Sequence, residues 1–107
     1  MTDFQDRQRA EEAKFALDQD TAFRVAARRN RLLGAWAAEA MKLTPEETEA
    51  YKKAVVQADF EEAGDEDVIR KLLGDLTAAG TDITEAEIRA KLDEMTIEAR
   101  RQLIGEV

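Results

Sequence analysis

Apolar side chains recur along this chain at steps of three and four, and in no window do β-branched residues alternate with polar ones. That period belongs to helices. Ile88, Leu92, Met95, Ala99 and Leu103 form one stripe, which predicts an amphipathic helix over 84–104. Tyr51, Val55 and Ala58 face one way and predict a helix over 45–62, ahead of Gly64. A third, over 65–79, carries Val68, Ile69, Leu72, Leu73 and Leu76 between Gly64 and Gly80. Before Lys42, the residues Phe23, Val25, Leu32, Leu33, Trp36, Ala37, Ala40 and Met41 predict a helix over 20–42 that covers the others, with Trp36 as the largest contributor to the core.

Two helix starts are written plainly. Thr44-Pro45-Glu46-Glu47 and Thr84-Glu85-Ala86-Glu87 each set a Thr three residues ahead of a Glu, so that hydroxyl and carboxylate satisfy each other's backbone N–H groups. Pro45 at the first helical position forfeits only an N–H that has no partner there. Asp65, Glu66 and Asp67 stand at the positive end of the third helix's dipole.

The first 20 residues differ in kind. They carry six acids and three bases, with Met1, Phe4, Phe15 and Leu17 as their large apolar side chains, too few for a stripe that would hold them against a bundle. The expected fold is therefore all-α: a small four-helix bundle in residues 20–107, preceded by a flexible or partly helical N-terminal arm in residues 1–19 that is loosely ordered in the free protein. Phe4 and Phe15 are eleven residues apart, about three helical turns, so an induced helix carries both on nearly one side and suits a partner's groove.

Composition narrows the function. A chain of 107 residues has room for one domain. It contains neither Cys nor His, which removes thiolate and imidazole nucleophiles, the usual zinc ligands and the commonest general base near neutral pH. No catalytic site and no metal site is expected. The 24 acidic and 16 basic side chains leave a net charge of -8, which disfavours nucleic acid or an anionic membrane as a partner. The opening residues form neither a secretory signal nor a mitochondrial type of presequence, and no apolar run is long enough to span a bilayer. A cytoplasmic protein, monomeric when free, is expected.

Two clusters invite a chemical reading. Asp59-Phe60-Glu61-Glu62-Ala63-Gly64-Asp65-Glu66-Asp67 holds six carboxylates in nine residues, but without the alternation and terminal Glu of a calcium loop. A solvated connection whose acids cap the next helix is the simpler expectation. Arg24, Arg28 and Arg31 fall on one helical face at steps of four and three, and with Asn30 they form a candidate nucleotide or anion site. The simpler account of that face is pairing with the acidic stretch in the same molecule. No glycine-rich phosphate loop is present.

Three blocks bring a family into view: Arg9-Ala10-Glu11-Glu12-Ala13-Lys14-Phe15-Ala16, Ala27-Arg28-Arg29-Asn30-Arg31-Leu32-Leu33-Gly34-Ala35-Trp36-Ala37-Ala38-Glu39, and Asp59 through Val68. In order and spacing the chain resembles the zeta subunit of the alphaproteobacterial F1FO-ATP synthase. The resemblance implies a four-helix protein whose N-terminal segment enters a catalytic interface of F1 and blocks rotation in the hydrolysing direction, in the manner of the mitochondrial ATPase inhibitor protein. It implies an inhibitory arm in about the first 19 residues, with Phe4, Arg7, Arg9, Lys14 and Phe15 as contacts to the alpha, beta and gamma subunits of F1. It further implies a place at the periphery of the inner membrane when bound, with no cofactor beyond weak adenine-nucleotide binding. Ala63 stands where the family usually has Pro, which loosens the acidic connection. A small adenine-nucleotide sensor and a helical interaction module with another partner are the alternatives.

Overall fold

A computed structural model describes residues 2–59 and 64–105, with side chains from residue 20 onward. Four helices follow one another: α1 (Thr2–Ala40), α2 (Pro45–Ala58), α3 (Glu66–Ala78) and α4 (Glu85–Ile104), with no strand among the described residues. The all-α expectation is met. α1 runs unbroken through residue 20, so the backbone of residues 2–19 continues the first bundle helix as one 39-residue helix. At 1.5 Å per residue such a helix is about 58 Å long, and it sets the longest dimension of a molecule measuring 64 × 24 × 21 Å.

Both capping boxes form. Thr44 Oγ1 accepts from the Glu47 N–H at 3.1 Å and the Glu47 carboxylate accepts from the Thr44 N–H at 2.8 Å. The equivalent distances at Thr84 and Glu87 are 3.2 and 3.0 Å. α1 and α3 end alike. The Leu43 N–H donates to the Ala38 carbonyl and the Lys42 N–H to that of Glu39, as the Thr81 N–H donates to Leu76 and that of Gly80 to Thr77. Each ending needs one left-handed residue. Gly80 supplies it at φ 83°, and Lys42 supplies it at φ 60° with a side chain attached.

The helices bury one continuous cluster. Leu33 of α1, Val55 of α2, Val68, Leu72 and Leu76 of α3 and Ile88 of α4 are fully enclosed, with Ala37, Ile69 and Leu92 completing the layer. α1 lies most extensively on α2 and then on α4, so it is the element around which the others close. α1 and α2 approach closely at Gly34, where a β-carbon would stand 2.8 Å from the Lys52 Cα on α2. Only a residue without a side chain fits there.

Two core expectations are corrected. Trp36 is half-buried at the edge of the cluster, with the Lys91 ammonium 5.7 Å from its ring, and the fully enclosed Leu33 takes the central place. Phe23 is 57% exposed and takes no part in the enclosed cluster. α2 ends at Ala58 rather than near residue 62, and Phe60, Glu61, Glu62 and Ala63 lie outside the described residues. No helix among the described residues is long and apolar enough to cross a membrane.

Candidate functional site

α1 runs continuously through both the predicted arm and the predicted first bundle helix. Among the described side chains, the buried ones of α1 begin at Val25. The side chains of Phe4, Arg7, Arg9, Lys14 and Phe15 lie outside the described residues, so their placement rests on helix register alone. Positions 4, 15, 26 and 37 are each eleven apart, and eleven residues advance an α-helix by three turns to within about 20°. These four positions share one edge of α1. Ala37 on that edge is fully buried in the core, and Ala26 is half-buried at its margin.

The arginine face is real as a face. Arg24, Arg28 and Arg31 are all exposed. Each has a partner nearby. Arg24 pairs with Asp20 one turn earlier at 3.2 Å, Arg28 donates to Gln102 of α4 at 3.3 Å, and Arg31 lies 3.7 Å from Glu49 of α2. Such exposed pairs are worth little individually. Glu49 is shared with Lys52 at 3.0 Å, and that hydrogen bond, reinforced by Arg31, holds its carboxyl below the usual range. Asn30 does not join this face. It is 1% exposed and donates to Asp59 at 3.0 Å.

The acidic connection is met by an arginine that pattern reading did not single out. Arg29 is buried, its Nε donates to the Asn30 side-chain oxygen at 3.1 Å, and its Nη2 stands 3.1 Å from Asp65 and 3.5 Å from Asp59. Neither carboxylate lies in line with an N–H of that nitrogen, so the contact is one of charge rather than a directed hydrogen bond. The consequence is a four-residue clasp that holds the end of α2 and the start of α3 against α1. Asp65 occupies the capping position of α3, but its carboxylate turns to Arg29 and makes no cap. Asp67 instead accepts from the Val68 N–H at 2.9 Å. Among the described residues the expected pairing of the acidic stretch with basic residues of α1 is made through Arg29. A signal was available: Val25, Arg29 and Leu33 are spaced by four, and all three are buried.

A second charged contact ties α3 to α4. Arg89 grips both oxygens of Glu66, at 3.0 and 2.8 Å, and reaches Glu85 one turn back on its own helix at 3.1 Å. The hydrogen bond from Arg89 holds the Glu66 carboxyl below its usual range. Among the described residues no group of acids is disposed to hold a metal ion.

Comparison with known proteins assigns the family. A protein whose structure was determined in solution by NMR is 48% identical, over 79% of this chain and 96% of its own, with a TM-score of 0.69. No curated protein matches the sequence. A model of the family described as ATPase inhibitor subunit zeta matches residues 1–102, the arm and all but the end of α4 together. By that match the chain belongs to the ATPase inhibitor subunit zeta family.

Proposed function

We propose that this protein is a non-enzymatic regulator that binds the F1 sector of the ATP synthase and inhibits its ATP hydrolysis by inserting the N-terminal arm between an alpha and a beta subunit, near gamma. The observation that carries this reading is the family match, which spans the arm as well as the bundle. The fold is compatible with that division of labour between arm and bundle, since among the described side chains the enclosed cluster is built from residues at position 33 or later. Phe4 and Phe15 are the apolar anchors in this reading, and Arg7, Arg9 and Lys14 are the charges that meet the partner. The protein then works in the cytoplasm and sits at the inner membrane only through F1.

The adenine-nucleotide reading gains no support of its own. Arg24 and Arg31 already face carboxylates, and Asn30 belongs to the buried clasp.

The test compares full-length protein with protein lacking residues 1–19, on purified F1 from the same cells. The truncated protein should keep its circular-dichroism melting transition and lose inhibition of ATP hydrolysis. Equal inhibition by both would remove the arm from the mechanism.

A further inference from the structure

The seam between α1 and α2 is hollow on its outer side. One depression, of about 240 Å³, is lined by Phe23, Ala26, Ala27, Val56 and Asp59 among others. An adjoining one, of about 420 Å³, shares Ala27 and Val56 and is closed by Arg31 and Lys53. Because the shared residues form both floors, the two make one trough. It runs along α1 from residue 23 to residue 31, about 12 Å at the helical rise, which is the length of roughly two turns of a helix laid beside it.

The trough is apolar along its floor and charged oppositely at its ends. The half-exposed Phe23 ring and Asp59 stand at the end nearer the arm, where Asp59 and Asp65 together outnumber the one Arg29 charge they share. At the other end are Arg31 and Lys53, with Lys52 close by, and Glu49 is the carboxylate shared by Arg31 and Lys52. In a chain of net charge -8 this is a local surplus of positive charge. A helix whose N-terminus points to Asp59 and whose C-terminus carries a carboxylate toward Arg31 and Lys53 is complementary at both ends, since its dipole has the matching sense. Such a helix lies parallel to α1.

We propose that this trough is a second docking surface, filled by a short amphipathic helix of the same partner that receives the arm. The occupant presents small and apolar side chains to Ala27, Val56 and Phe23, and an acidic C-terminal turn to Lys53 and Arg31. This rests on the function proposed above and extends it. Positions 4 and 15 of the arm lie on the edge of α1 that continues to Ala26 at the trough, so a partner gripping that edge reaches the trough without crossing the helix. The bundle thereby sets the depth and rotation of the arm, in place of serving only as its carrier.

The experiment measures inhibition of F1 ATP hydrolysis by full-length Phe23→Ser, Lys53→Glu and Ile97→Ser, beside the protein lacking residues 1–19. Phe23, Lys53 and Ile97 are exposed, so each variant should fold, and circular dichroism verifies it. Ile97, 55% exposed on α4 and outside the trough, controls for loss of any surface apolar group. The inhibitory midpoint should rise about tenfold for Phe23→Ser and for Lys53→Glu, the size of a single interfacial anchor, and stay unchanged for Ile97→Ser. Wild-type midpoints for Phe23→Ser and Lys53→Glu, with the truncated protein inactive, would overturn the trough and leave the arm standing. Full inhibition by the truncated protein would overturn the proposed function itself. A concentration-dependent dimer in sedimentation that Phe23→Ser abolishes would assign the trough to a second copy and overturn the proposal.

Discussion

Replacing Gly34 by Ala sets two known effects against each other at one atom. A glycine inside a helix costs about 1 kcal/mol relative to alanine, so on propensity alone the substitution should stabilise α1. The added β-carbon, however, would stand 2.8 Å from the Lys52 Cα and 3.4 Å from its backbone nitrogen. A backbone atom cannot swing aside as a side-chain end does, so α1 and α2 must separate along their whole seam. Overpacking of this kind costs about 1–3 kcal/mol, and more of that range applies because the seam is the most extensive in the bundle. The net expectation is a loss of about 1–2 kcal/mol, which lowers the melting temperature by roughly 4–15 °C in a domain of this size. Gly74 supplies the matched control: it lies in α3, is exposed, and has nothing within 4 Å of its would-be β-carbon. Gly74→Ala should stabilise by about 1 kcal/mol. Urea denaturation followed by circular dichroism reads both. A Gly34→Ala protein as stable as Gly74→Ala would refute the close crossing of α1 on α2.

Lys42→Gly should raise stability by about 0.5–1 kcal/mol, because it relieves a left-handed penalty of about 1–2 kcal/mol at the end of α1 and returns part of it as unfolded-chain entropy; an unchanged or lower denaturation midpoint would contradict the φ of 60° there. Tyr51 is half-buried and donates to Asp75 at 2.8 Å, and burial first, then that hydrogen bond, pushes its hydroxyl well above the usual phenol range. The folded state thus favours the protonated phenol, so its contribution is complete below the unfolded value of about 10 and fades as pH rises beyond it. Since the chain has one Tyr, tyrosinate absorbance reports it alone: ionisation should accompany alkaline unfolding, and titration of the folded protein near its ordinary value would disprove the burial. Tyr51→Phe should flatten that part of the alkaline stability curve, at a cost near neutral pH of about 1 kcal/mol.

The helical stripes and both capping boxes were legible because they depend on spacing within one element. Ile88, Leu92 and Ala99 needed only the helical period to be placed inside. The fate of Phe23 and Trp36 was not legible, since it depends on how the helices pack side by side, and apolar character alone says nothing about that. Arg29 is the instructive case. Among four arginines in eight residues, the three on one face draw attention, yet the fourth has the core's spacing and ties the acidic connection down. A charge in register with core residues is itself a signal that an opposite charge waits inside. The trough was illegible for another reason: Ala27 and Val56 are unremarkable in sequence, and only the packing of α1 on α2 brings them together.

The unbroken α1 bears on how, in the proposed mechanism, the arm engages its partner. A free peptide of 19 residues must nucleate a helix before it can present one, and the nucleation constant of about 10⁻³ corresponds to roughly 4 kcal/mol at 25 °C. Here the bundle has already nucleated it. Val25, Arg29, Leu33 and Ala37 fix the dihedral angles of the same helix through burial, so each arm residue that joins adds to an existing end. Binding then has to supply only the ordering of successive residues, about 1–2 kcal/mol each for the backbone before its hydrogen bond is counted. The clasp of Arg29, Asn30, Asp59 and Asp65 lies about three turns beyond residue 19 and secures the α1 helix where it packs on the bundle. In the proposed mechanism its function is therefore mechanical: it keeps the root of the arm straight, so that the direction in which the arm enters F1 is set by the bundle.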